Sequence, residues 1–119
     1  MYRCNNIDEL IQMIKSNDYS NLTAIMRENG YDMQREIGNH PISGERSHIV
    51  VYSYNCYKDG RNLNDWQDSY EVHVWETITN LLITNINEYD SYTKEYPHQI
   101  KNRTIKLRNT KNNQIDIIG

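Results

Sequence analysis

Ile7, Leu10, Ile11 and Ile14 fall at i, i+3, i+4 and i+7, a single apolar stripe that predicts a helix close to the start of the chain. Asn6 and Glu9 flank its first turn as a capping box, and Ser16-Asn17-Asp18 breaks the pattern. A second helix carries Leu22, Ile25 and Met26. Ser20 is placed to cap it, and Asn29-Gly30 ends it, because glycine enters the left-handed region without a Cβ penalty. The chain therefore opens with a helical hairpin.

Tyr31, Met33 and Ile37 alternate with polar residues around an interrupting Arg35, so residues 31–37 read as a strand, with a helical turn as the alternative. Residues 38–47 read as a loop, since Pro41 biases His40 away from the helical region and Gly38 and Gly44 punctuate the segment. The run from His48 to Tyr57 is β-branched and aromatic, the strongest strand signal present, and is placed centrally in a sheet. Asp59-Gly60 is turn chemistry.

Residues 66–96 fit two periods. With period two, Tyr70, Val72 and Val74 line one side of a strand and Glu71, His73 and Trp75 the other. With helical period, Val74, Trp75, Ile78, Leu81, Leu82, Ile86 and Tyr89 join a stripe that includes Glu71 and Asn85, and Asp68 to Glu71 resembles a capping box. The helical template matches more positions. It predicts one long helix from about Ser69 to Tyr92, with a strand over 70–75 as the alternative. Arg103 to Arg108 alternates, Lys111-Asn112-Asn113 is a turn, and Gln114 to Ile118 is a short return strand. The expected fold class is α+β: an N-terminal helical hairpin, a three- to four-stranded antiparallel sheet, and one long amphipathic helix packed on it, within a single globular domain over residues 1–119.

Composition decides whether this pattern can fold. Ile, Leu, Val and Phe make up roughly a fifth of the 119 residues and mean hydropathy is −0.89, close to the disordered regime. Ten Tyr and two Trp supply large buried area per residue, and a net charge of −3 is too small for self-repulsion to hold the chain open. Cys4 and Cys56 are too sparse for a secreted disulfide framework and read as reduced thiols. No apolar run approaches a membrane span, so the expectation is a cytoplasmic chain with no membrane partner. Sixteen Asn and fifteen Ile against a single Ala carry the bias of an AT-rich gene, common in mobile elements, viruses and some low-GC bacteria.

Two surface candidates emerge. Asp65, Trp66, Asp68 and Tyr70 place aromatic rings among carboxylates, the composition of a binding site for another protein, in particular a basic one. A Trp plugging the core beneath a loop is the competing explanation. Lys101, Arg103, Lys106, Arg108 and Lys111 form a basic C-terminal stretch that would track phosphates in a nucleic-acid binder, concentrated in a homodimer, or would protect an edge hairpin and pair with the acidic helix expected over 69–92. A sequence pI near 5.8 favours the second explanation.

Catalytic signatures are missing from the sequence. Tyr89, Tyr92 and Tyr96 lie on one helical side, but the His-apolar-His pair that nicking enzymes use to hold a metal has no counterpart at His48 or His73. His73 and Glu76 lack a third ligand at zinc-site spacing, and phosphate loops and nucleophile elbows are absent. No cofactor, metal ligand or catalytic residue is expected. A non-enzymatic protein that binds and blocks another protein leads, with nucleic-acid binding second and a metal-dependent nuclease using Tyr89, Tyr92 or the carboxylates third.

Overall fold

The computed structural model describes residues 2–54, 66–96 and 100–119. The described residues form an α+β structure, with three helices and a five-stranded antiparallel sheet. In chain order, α1 (Ile7–Ser16) and α2 (Leu22–Glu28) are joined through a 3-10 turn, Tyr19–Asn21. β1 (Tyr31–Asn39), β2 (Arg46–Tyr54) and β3 (Tyr70–Ile78) follow, then α3 (Ile86–Glu95), β4 (Ile100–Asn109) and β5 (Ile115–Ile117). The strands lie in sequence order, β1-β2-β3-β4-β5, so β3 holds the central place and β2 the one beside it.

The helical hairpin forms for the local reasons its sequence carries. The Asn6 side chain accepts from the Glu9 amide, and the Glu9 carboxylate accepts in return from the Asn5 amide. The turn before α2 is capped by Asp18, which accepts from the Ser20 amide, so Ser20 lies inside the turn instead of capping the helix. Gly30 ends α2 at φ +86°, and a Cβ there would come within 2.6 Å of the Tyr54 ring, so both backbone and neighbour require glycine.

The expected long helix over 69–92 is replaced by a strand and a shorter helix. β3 runs to Ile78, making the period-two alternative correct and longer than residues 70–75, and the sheet has five strands where three or four were expected. Between two neighbouring strands, Val72, Val74 and Ile78 are buried on one side by long-range pairing, which a local helical count cannot register. Asn80 then turns the chain by accepting from the Leu82 amide. Asn85, counted in the helical stripe, is the N-cap of α3: it accepts from the Glu88 amide while Glu88 accepts from Thr84. β1 extends to Asn39, so the loop shortens to residues 40–45.

All three helices lie on one side of the sheet. Leu10, Ile14, Leu22, Ile25 and Met26 pack against Tyr31, Val50, Tyr52, Val72, Val74 and Leu107. A smaller apolar group, Ile78, Ile83 and Tyr89 with Ile37 and Tyr92, sits under α3. Among the described residues no helix is long and apolar enough to cross a membrane.

Candidate functional site

Between the two apolar groups lies a buried polar chain. Glu76 follows Val72 and Val74 in the inward phase of β3 and is 2% exposed; His48, in the inward phase of β2 directly opposite, is 4% exposed. Arg35 Nε donates to His48 Nε2 at 3.0 Å, so that nitrogen carries no proton, and His48 Nδ1–H donates to Glu76 Oε1 at 3.2 Å. The Tyr19 hydroxyl donates to the same oxygen at 2.9 Å, and Arg103 reaches the other at 3.3 Å with its guanidinium 3.5 Å above the Tyr19 ring. At the outer end Arg35 grips Asp90 of α3, 2.6 Å away.

Burial would push the Glu76 carboxyl up, but the hydrogen bonds from His48 and Tyr19 and the charge of Arg103 outweigh it and hold it below the usual carboxylate range. Burial, with the charge of Glu76, pushes the Tyr19 and Tyr89 phenols well up. Neither is a nucleophile at neutral pH. The Tyr89 ring stacks on His48 with centroids 4.0 Å apart, and Arg35 occupies Nε2, so the His48–Glu76 dyad offers no free nitrogen to a substrate. This chain of contacts joins β1, β2, β3, β4, the turn before α2, and α3; its chemistry is that of a structural tie.

The other side of the sheet differs. Among the described residues no helix lies on it. Trp75 stands near its middle, half-buried, with the His40 ring at 5.3 Å edge-on and the Lys106 ammonium 5.4 Å from its centroid. Ile49, its partner on β2, is buried beside it. Glu71 accepts from His73 at 3.0 Å and from Arg108 at 2.8 Å, and Arg108 also donates to Asn113. Burial opposes ionisation of Glu71, yet those two hydrogen bonds and charges keep its carboxyl below the usual range. At the margin, β5 presents Ile115 and Ile117 on this same side, next to Arg108 and Lys106, with 55% and 72% of their surface exposed. Large apolar side chains on an edge strand are the reverse of the charged protection such strands ordinarily carry.

Comparison with protein-family models, curated proteins and solved structures finds no match. What the chain can do must be read from these two surfaces.

The sequence candidates are distributed as follows. Asp65 lies outside the described residues, as do Cys56, the Asp59-Gly60 turn and the side chain of Lys101. Trp66 and Tyr70 are half-buried and pack against the main core, and Asp68 is half-buried beside them, with its carbonyl accepting from the Thr110 hydroxyl. Arg103 is on the helix side, paired with Glu76, whereas Lys106 and Arg108 are on the open side against Trp75 and Glu71. The acidic partners stand on β3, where an acidic helix was expected to supply them. Lys111 is exposed in the β4–β5 turn. His73 and Glu76 point to opposite sides of the sheet and do not meet. Among the described residues no three His, Cys, Asp or Glu side chains are grouped as a metal ion requires. The Cys4 thiol is raised by burial and by the charge of Glu9, away from thiolate reactivity.

Proposed function

We propose that this protein works by binding another protein, and blocking it, through the open side of the sheet and the β5 edge. The observation that carries the reading is the pair Ile115 and Ile117: two exposed isoleucines on an edge strand, continuous with a strip that runs through Lys106 and His73 to Val51 and past Trp75 to Ile49. A half-buried tryptophan flanked by cationic and aromatic neighbours, with apolar residues at the margin, has the composition of an interface centre. Trp66, Asp68 and Tyr70 would act from the core side, holding the start of β3 in place. The sparse cysteines and the inert Cys4 thiol suit the cytoplasm.

The geometry favours protein over nucleic acid. Arg103, Lys106 and Arg108 are divided between two sides of the sheet and each is already engaged by Glu76, Trp75 or Glu71, so they do not form the continuous free cationic track that phosphates need.

A photo-crosslinking side chain at position 117 tests the reading in cells of the source organism, with one at the exposed position 12 of α1 as control. A discrete adduct is expected from 117, competed away by unlabelled wild type and not by an Ile115→Lys, Ile117→Lys double variant. That variant should bind the captured partner more weakly by about thirtyfold or more, the loss of a hot spot, with its unfolding midpoint unchanged. Equal adducts from both positions, or unaltered affinity of the double variant, would overturn the reading.

A further inference from the structure

Resting on that reading, we infer the chemistry of the segment that β5 accepts: an extended strand with a Lys or Arg between two apolar residues. β5 pairs with β4 and ends the sheet, so among the described residues its outer backbone edge is open for a further strand. Side chains of an added strand alternate. In the three-residue stretch facing residues 115–117, the outer two side chains would lie beside Ile115 and Ile117 on the open side, and the one between them would point to the helix side.

On the helix side the added residue meets a cavity of about 210 Å³ between α1 and the sheet margin, lined by Asp8 and Ile11 of α1, Tyr70, Leu107, Gln114 and Asp116. Ile11, Tyr70 and Leu107 give it an apolar floor, while most of its exposed lining is polar and includes the two carboxylates Asp8 and Asp116. Asp116 sits opposite Leu107 and so faces the helices. Neither Asp8 nor Asp116 has a hydrogen-bond or ion-pair partner among the described residues, although most other carboxylates near the sheet are engaged. A Lys or Arg stem would lie along Ile11, Tyr70 and Leu107 while its charged head reached the two carboxylates. An acidic residue at that place would meet two like charges. The same argument disfavours a second copy of this chain, because pairing β5 with itself in register brings two Asp116 carboxylates together.

Labelled peptides with an Ile-Lys-Ile or an Ile-Glu-Ile centre, titrated against the whole protein by fluorescence anisotropy, test this. The lysine peptide should bind about tenfold more tightly than the glutamate peptide, since the exchange turns attraction into repulsion at two exposed carboxylates, Asp8 and Asp116. Asp116→Lys should reverse the order, and Ile115→Lys with Ile117→Lys should abolish both. Equal affinity for the two peptides, or binding of neither, overturns the inference; either result leaves the crosslinking from position 117 to decide the broader reading. A dimer in sedimentation that is broken by the same double isoleucine variant would also overturn it, by making the second copy the occupant.

Discussion

Glu76→Ala is expected to destabilise the protein by about 3–5 kcal/mol, the cost of removing one member of a buried charged network. The carboxylate is the shared acceptor for the Tyr19 hydroxyl, His48 Nδ1–H and Arg103. Deleting it leaves a buried imidazole N–H and a half-buried phenol without a partner and removes the charge opposite Arg103, and these losses outweigh the simple loss of contact. Glu76→Gln keeps one carbonyl acceptor and should fall between wild type and Glu76→Ala in urea denaturation. The dependence on pH follows from the lowered carboxyl. Its contribution is complete above the unfolded-state value, about 4.3, and is lost as pH falls through the folded-state value. The stability gap between wild type and Glu76→Gln should therefore be constant near neutrality and close in acid. Because Glu71 titrates in the same direction and is present in both proteins, it cancels from the difference. A gap that does not depend on pH would refute this account of the network.

Ile25→Ala ranks beside it, at about 2–5 kcal/mol, for a different reason. Ile25 is fully buried in a helix of seven residues, too short to hold itself in water, so α2 exists because Leu22, Ile25 and Met26 are seated on the sheet. Truncation leaves a cavity between α1, α2 and the sheet. Against a total stability of about 5–15 kcal/mol for a domain of this size, the variant should melt about 10 °C or more below wild type. Ile25→Val, which removes one methylene, should cost about 0.5–1.5 kcal/mol. Near-equal melting of the alanine and valine variants would mean that the site collapses to fill the space.

Much of this architecture was legible where the cause is local. Asn6 with Glu9 and Asn29 with Gly30 mark the helical hairpin within a few residues, and the alternation over Arg103 to Arg108 with the Lys111-Asn112-Asn113 turn marks the last hairpin. β3 is masked in the sequence because Trp75, Ile78, Leu82 and Tyr89 coincide with helical spacing by accident, and because Asn85 falls in the same stripe although Glu88, three residues on, marks it as a cap. The buried network was invisible because its members are far apart: Tyr19 and Glu76 are 57 residues distant, Arg35 and Asp90 55. One signal did exist. Glu76 continues the inward phase of Val72 and Val74, and His48 that of Val50 and Tyr52, so two polar residues at core positions on neighbouring strand segments pointed to each other.

The division of labour between an inner polar tie and an outer binding side is tested most directly by hydrogen exchange on the protein alone and in complex with the partner captured through position 117. Binding should slow exchange at residues 115–118 and along β3 and β4, and leave the amides of α2 and residues 80–96 as they were. Protection that gathers instead around the exposed Leu81 and Leu82 and α3, with β5 unaffected, would contradict it.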